Sequence, residues 1–312
     1  MLRKRKFFNC IILIIGLMSF NMIASAQESE QRMYKCEMLS EEFNENTSLK
    51  QIEVGIEDFI SKNNLDITKG TPEYVELLYK FLFDEIDEID ELTNRYFSDY
   101  AAVYISELQE RNALSPEFYS EGNSDIVISG TLAEIKRINK GRMEFVTNST
   151  LQQDKETKGT YSVSKAQEYA KAYALKWNYV YGRFNEDCTN FASQIVHHAG
   201  MPLVEGQWQW NGNEEAKRTW NVAHHFTEYW TIIRGYNGGD YVTRGEVNSK
   251  ANPGDFIAYM SSDTYTIWHV AFVQSKTNGE IYISQHTKDR YNEKWNNISI
   301  DQPSVYIIVK FS

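Results

Sequence analysis

Apolar residues recur at helical spacing over two consecutive stretches in the first half of the chain. The first stretch begins at Pro72, and its apolar positions keep close to a 3.6-residue period as far as Tyr96. Proline suits the first position of a helix, because the N–H that it lacks would have no partner inside the helix there. The second stretch covers residues 98–111. The pattern therefore predicts two helices, the first of them about six turns long.

A hairpin is predicted next. Residues 126–138 and 142–147 are rich in β-branched residues and flank a short turn that ends in glycine. With the two helices, this hairpin predicts a small α+β domain at residues 71–152, whose role the sequence does not reveal. Residues 27–70 form a polar N-terminal arm, and the polar run at 153–160 is the best linker.

The second half of the chain changes from helical spacing to short apolar runs. Ser164 and Gln167 have the spacing of a capping box and precede an apolar face, which predicts a helix. Helices followed by an antiparallel meander are typical of an α+β domain, here residues 161–312. The predicted strands of this domain are 256–260, 268–274, 281–286 and 305–311.

One more predicted helix, between Asn185 and Gly200, carries the residue with the clearest chemistry. Asn185 and Asp187 can cap its start, and Gly200 is a typical stop. This places Cys188 in the first turn, where unpaired backbone N–H groups and the helix dipole favour a thiolate. The sequence therefore predicts that Cys188 is the activated nucleophile of a cysteine hydrolase.

Such a nucleophile needs a base and a polar group that orients the base. His269 lies at the start of one predicted strand, and Gln285 and His286 lie at the end of the next. Neighbouring antiparallel strands can bring such side chains together on one face. The sequence therefore predicts His269 as the base, with His286 or Gln285 beside it.

The N-terminus has the arrangement of a signal peptide at residues 1–26, with a basic start, an apolar run and an Ala24-Ser25-Ala26 end. An uncleaved membrane anchor is the alternative, although the apolar run is short for a span. We expect a secreted, periplasmic or envelope-associated protein with no stable membrane span after cleavage. Cys36 and Cys188 would remain and could form a disulfide, but the polar setting of Cys36 and the better use of Cys188 argue against it.

The charge of the chain excludes one large class of partners. The formal net charge is −11, and loss of the basic N-terminus makes it more negative, so a basic nucleic-acid-binding surface is not expected. The pairs His197-His198 and His224-His225 lack the cysteine or carboxylate spacing of a zinc site. No metal and no cofactor are predicted.

Residues 161–312 contain, in order, several short motifs that resemble a known family. The first is the run Asp-Cys-Thr-Asn-Phe-Ala-Ser-Gln around Cys188, followed by Gly254-Asp255, His269-Val270-Ala271 and Ser284-Gln285-His286-Thr287. This combination resembles the secreted bacterial amidase domain with an Asp-Cys-Thr-Asn-Phe-x-Ser-Gln signature. That family is related to the cell-wall cysteine peptidases of the NlpC/P60 and CHAP groups.

The resemblance implies a papain-like fold for the C-terminal domain, with the small α+β domain before it. It implies Cys188 as the nucleophile and His269 as general base and acid. Related groups use histidine, asparagine, glutamine or glutamate in the third position, so His286 and Gln285 both fit, with His286 preferred. Tyr181 or Asp187 would help to position the substrate or the oxyanion, and the backbone N–H of Cys188 is the natural oxyanion donor.

The implied reaction is hydrolysis of an amide bond through a thioester on the cysteine. For a secreted bacterial protein, the expected substrate is peptidoglycan or another peptide. Two alternatives stay open at this point. One is a non-catalytic wall-binding module, and the other is an acyltransferase that uses the same Cys-His pair with an amine in place of water.

Overall fold

The structure is a computed structural model that describes residues 43–86, 89–114, 126–150, 160–300 and 304–312. The predicted signal peptide, Cys36 and nearly all of the predicted linker lie outside these residues. Within them, no helix is both long enough and apolar enough to cross a membrane.

The described part of the first half is helical. Thr71 caps the helix that begins at Pro72, and its side chain accepts a hydrogen bond from the backbone of Tyr74. The predicted six-turn helix is wrong, because this helix ends at Leu82 and a new one begins after Asp90, whose side chain caps it. The helices here are α1 (Leu49–Lys62), α2 (Pro72–Leu82), α3 (Glu91–Asn112) and α4 (Leu132–Thr150).

The predicted hairpin is also wrong, because its residues form α4. Thr131 and Glu134 make a capping box, in which Glu134 N–H donates to Thr131 Oγ1 at 3.2 Å and Thr131 N–H to Glu134 Oε2 at 2.9 Å. Ile135 packs against one core and Met143 against another, so the helix bridges two apolar regions. The first half is therefore not α+β in its described residues.

The second half has the predicted order of helices and then strands. Its helices are α5 (Val163–Tyr173), α6 (Cys188–His198), α7 (Glu214–Asn221), α8 (Ala223–Glu228) and α9 (Arg244–Lys250). Its strands are β1 (Asn237–Tyr241), β2 (Phe256–Ser261), β3 (Ile267–Thr277), β4 (Glu280–Gln285), β5 (Arg290–Lys294) and β6 (Ser304–Val309). The whole described chain is thus a mixture of helices and antiparallel sheet, which confirms the α+β class.

The strands form one sheet in the order β1-β6-β2-β3-β4-β5, and every described pair is antiparallel. The predicted hairpin turn joins β3 to β4, where Thr277 pairs with Glu280. The sequence analysis missed β1 and β5. Both are short and largely polar, so they carry little of the alternation that marks a strand.

Apolar side chains pack on both faces of the sheet, because successive strand residues point to opposite sides. Tyr259 and Ala271 belong to the core that also contains α1, α2 and α3. Ala258 and Val270 belong to the core that contains residues of α5 and α6 and the side chains of Trp208, Trp220 and Trp230. The N-terminal helices therefore cover one face of the sheet, and the helix that begins at Cys188 covers the other.

Candidate active site

Cys188 is the first residue of α6, as the sequence predicted. The helix ends before Gly200, where φ is +113° and an added Cβ would lie 2.6 Å from Thr160 O, so only glycine fits. Asp187 precedes the helix but makes no capping hydrogen bond to it. The backbone therefore places the thiol at the start of the helix, while the Asp187 side chain serves another purpose.

The thiol of Cys188 is fully buried, with 0% exposure, and it is free of any disulfide. Burial raises its pKa to about 11, because a buried thiolate loses its hydration, and hydrogen bonds from Thr189 and the backbone N–H of Val270 offset only part of this. The sequence predicted a lowered pKa. That expectation is wrong for this conformation, since desolvation outweighs the helix start.

His269 lies on β3, directly before Val270. Its side chain is fully buried, and neither ring nitrogen has a hydrogen-bond partner among the described residues. Burial lowers the pKa of His269 to about 4, and the nearby amide of Gln285 offsets only part of that. The ring is therefore neutral near pH 7, and one nitrogen is free to accept a proton.

Gln285 ends β4 on the same side of the sheet. Its Nε2 donates to the backbone oxygens of Thr287 and Lys288 at 3.1 and 3.3 Å. Its Oε1 is buried without a partner in the described structure. This oxygen is near enough to His269 to raise the pKa of the ring, although the two groups fall short of hydrogen-bond geometry. Buried polar groups without partners are rare and point to a functional site or to strain.

His286 faces the opposite side and pairs with Asp187. Its Nδ1 bonds to Asp187 Oδ2, its Nε2 lies 2.8 Å from Tyr173 O, and its ring stacks on Phe191 with centroids 4.1 Å apart. Tyr173 O is an acceptor, so Nε2 of His286 donates to it. Nδ1 shares a proton with the Asp187 carboxyl group, whose own pKa is raised by burial. Although burial lowers the pKa of His286, the hydrogen bond and charge of Asp187 raise it overall.

The structure thus separates the residues that the sequence grouped together. Gln285 lies beside His269, whereas His286 is committed to Asp187 and to a backbone oxygen. Within the described residues, no hydrogen bond joins Cys188 to His269 or to His286. Cys188 meets the histidine-bearing strand through the neighbouring backbone of Val270.

Tyr181 lies away from the thiol. Its hydroxyl is 2.9 Å from His198 Nε2, and its ring stacks on Trp220 with centroids 5.7 Å apart. Trp220 is itself buried in the core, as is the neighbouring Trp208. These contacts give Tyr181 a place in the packing of α6, on the side remote from β3.

Sequence reasoning missed two residues from α3 that reach the site. Gln109 Nε2 lies 3.9 Å from Cys188 Sγ and 2.9 Å from the backbone oxygen of Trp268. Asn112 Nδ2 donates to Glu186 Oε2 at 2.8 Å. No local motif marks these residues, because their role arises only from the packing of α3 against the second half.

A cavity of about 480 Å³ lies beside these groups. Residues that precede Cys188 line it, among them Glu186 and Asp187, and α2 contributes Glu76 and Tyr79. Burial raises the pKa of Glu186 to about 7, and the hydrogen bond from Asn112 opposes that shift only in part. In the described residues, no group of three or more histidine, cysteine and carboxylate side chains is arranged to hold a metal ion.

Comparison with known proteins agrees with the amidase resemblance. Residues 160–309 match the model of a family described as "Putative amidase domain". This range contains Cys188, His269 and Gln285 and excludes α1 to α4. No solved structure matches the chain.

Two relatives from Bacillus subtilis (strain 168) are similar over part of the chain. The uncharacterized protein YhbB is 27% identical over 135 residues, which are 42% of this chain and 42% of YhbB. The uncharacterized protein YjcM is 31% identical over 140 residues, which are 42% of this chain and 32% of YjcM. The chain thus spans less than half the length of both relatives.

Proposed function

We propose that this protein is a secreted cysteine amidase or peptidase that hydrolyses amide bonds in bacterial peptidoglycan. The amidase-domain match over residues 160–309 supports the reaction class. The observation that carries the proposal is the pair of unpartnered buried groups, His269 and Gln285 Oε1, on the strands beside Cys188. An unpaired buried polar group needs a specific cause, and use by a substrate or a reaction is one such cause.

In the proposed reaction, Cys188 Sγ attacks the carbonyl carbon of the amide while its proton passes to His269. His269 then gives this proton to the leaving nitrogen, the C–N bond breaks, and the acyl group remains as a thioester on Cys188. A water molecule attacks the thioester with His269 as its base. The carboxylic acid leaves, and the thiol recovers its proton.

Gln285 takes the third position in this proposal, as the group that orients His269. His286 is unsuited to that role, because Asp187 and Tyr173 O already occupy both of its ring nitrogens. The backbone N–H of Cys188, at the start of α6, is the proposed oxyanion donor. Peptidoglycan as substrate and secretion as location rest on the signal-peptide pattern and on the family resemblance.

The test is incubation of the full chain with purified peptidoglycan, followed by detection of new amino groups and by mass spectrometry of the fragments. Wild type should release fragments and should show an acyl adduct on Cys188 after rapid quenching. Cys188→Ser and His269→Ala should both lose the release. His197→Ala is a matched control, because His197 lies on the same α6 but contacts Met201 O instead of the site. The assignment would be contradicted if His197→Ala lost the release while Cys188→Ser and His269→Ala kept it.

A non-catalytic wall-binding module is the second candidate. One observation favours it: the thiol is fully buried and its pKa is raised to about 11, which is typical of an inert core cysteine. In that case the chain would bind peptidoglycan in a pull-down, and no variant would cleave it. An acyltransferase would instead transfer the acyl group to an added amine, which mass spectrometry of the products would reveal.

A further inference from the structure

The nucleophile that we propose has no open path to a substrate in this structure. A reacting carbonyl must come within about 3 to 3.5 Å of the attacking atom. Cys188 has 0% exposure, and the Gln109 amide of α3 lies 3.9 Å from its sulfur. The N-terminal helices therefore occupy space that a substrate would need.

Contacts with three elements, β3, α6 and α8, hold Gln109 in this position. Its Nε2 donates to Trp268 O on β3 at 2.9 Å and lies 3.9 Å from the sulfur of Cys188. Its Oε1 accepts a hydrogen bond from the backbone of Ala223 at the start of α8, at 3.0 Å. With 2% exposure, the Gln109 side chain is a fixed plug over the thiol.

The same helices also cover the proposed base. The ring of Phe83, directly after α2, meets the ring of His269 edge-to-face with centroids 5.7 Å apart, and it meets Trp268 at 5.3 Å. Phe83 is itself fully buried. The ring of His269 is therefore packed against an apolar ring from the N-terminal half of the chain.

The end of α3 combines apolar packing with polar contacts, since Leu108 belongs to the core that α3 shares with the sheet. Glu110 accepts from His225 at 2.5 Å and from Arg218 at 3.1 Å, and Asn112 donates to Glu186 at 2.8 Å. Polar contacts are typical of parts that separate and rejoin. A local movement of this end of α3 therefore breaks fewer apolar contacts than release of the whole helix would. The covering residues also lie outside the range 160–309 that matches the amidase family.

We propose that α2, Phe83 and α3 form an intramolecular cover that keeps the site closed, and that the end of α3 around Gln109 must move away before Cys188 can react. This inference rests on the proposed function, because it assigns a regulation to the same site. It gives the first half of the chain a role: to keep the wild-type activity low, because only molecules in which the cover has moved away can react.

The experiment measures how fast iodoacetamide alkylates Cys188 in the full chain, at a fixed pH, with the labelled peptide quantified by mass spectrometry. Gln109→Ala removes the plug and its hydrogen bonds, so labelling should become faster by about tenfold or more. Glu110→Gln weakens the neighbouring tie and should accelerate labelling by a smaller factor. Gln167→Ala is the matched control, because Gln167 also donates to a β3 oxygen, Gln274 O at 2.8 Å, without contacting Cys188.

Labelling of Gln109→Ala at or below the wild-type rate would overturn the cover. So would equal acceleration by Gln167→Ala, because that would indicate general loosening of β3. If Gln109→Ala fails to fold, as judged by circular dichroism, Glu110→Gln is assessed by the same criteria.

A parallel peptidoglycan assay separates failure of the cover from failure of the proposed function. Faster labelling with faster fragment release supports both. Faster labelling without release in any variant keeps the cover and rejects the hydrolase. Release by wild type that falls in Gln109→Ala, together with unchanged labelling, keeps the hydrolase and rejects the cover.

Discussion

His269 and His286 are equally buried at the ends of neighbouring strands, but their surroundings give them opposite properties. Both ring nitrogens of His286 have hydrogen-bond partners, and its pKa is raised. His269 has no hydrogen-bond partner in the described residues, and its pKa is lowered to about 4. Burial alone therefore does not decide the state of a histidine. The partner does.

This difference distinguishes a histidine that holds two elements together from one that is available for the reaction that we propose. The hydrogen bond between His286 and Asp187 ties the residue before α6 to the end of β4, so it fixes where the helix begins relative to the sheet. The neutral ring of His269 holds nothing in place and keeps a nitrogen available for a proton. Of the two, His269 is the one without a hydrogen-bond partner in the described residues, which fits the general base that we propose.

The largest expected difference between the two histidines is their effect on catalysis. In the Gln109→Ala background, where we expect an open site, His269→Ala should lower turnover by about 10³-fold, because it removes the proton acceptor. His286→Gln should reduce turnover far less in the same background. The measurement is the rate of fragment release from peptidoglycan. Similar losses in the two variants would mean that the histidines act as one unit.

Stability should show the reverse order. His286→Ala leaves the Asp187 carboxylate buried without its ion-pair partner, so the free energy of unfolding should fall by about 3 to 5 kcal/mol. Adding Asp187→Asn removes the uncompensated charge and should recover part of the loss. Urea unfolding monitored by circular dichroism measures both. A loss below about 1 kcal/mol would show that the pair contributes little.

The two histidines should also respond to pH with opposite sign. The unfolded chain binds a proton at His269 below about pH 6.5, whereas the folded chain does so only near pH 4. Stability should therefore fall between these values as the pH is lowered, by up to about 3 kcal/mol from this residue. His269→Phe should remove that loss, as measured by urea unfolding at several pH values.

For His286 the folded pKa is raised, so its contribution is fully present below the ordinary value of 6.5 and is lost as the pH rises through the folded pKa. His286→Phe should therefore flatten the loss of stability above that pH. If this variant lost stability above that pH as wild type does, the raised pKa of His286 would be contradicted.

The smallest expected effect concerns Gln285. Gln285→Glu places a carboxylate beside His269, so the pKa of the ring should rise by about one unit. The acid limb of the pH–rate profile should then move to higher pH. Gln274→Glu is the control, because Gln274 contacts Gln167 and Ser284 rather than His269. An acid limb that stays in place would remove Gln285 from the third position.

The sequence by itself determined the elements that rest on local signals. The helix from Cys188 to the stop before Gly200 and the β3–β4 hairpin are confirmed, because helical spacing, a required glycine and alternating strand residues act over a few neighbours. The sequence also contained the Thr131 and Glu134 capping box, which is a local signal for the start of α4. The Asn-Lys-Gly run inside this helix resembles a turn, however, and favoured the prediction of a hairpin.

Only the tertiary structure decided the chemical state of the site. Cys188 begins a helix, as predicted, but its pKa depends on the water that α3 excludes. Gln285 and His286 are adjacent in sequence, but their side chains point in opposite directions at the end of β4. Gln285 therefore lies near His269, and His286 bonds to Asp187. These properties arise from residues far apart in the chain, so no local pattern contains them.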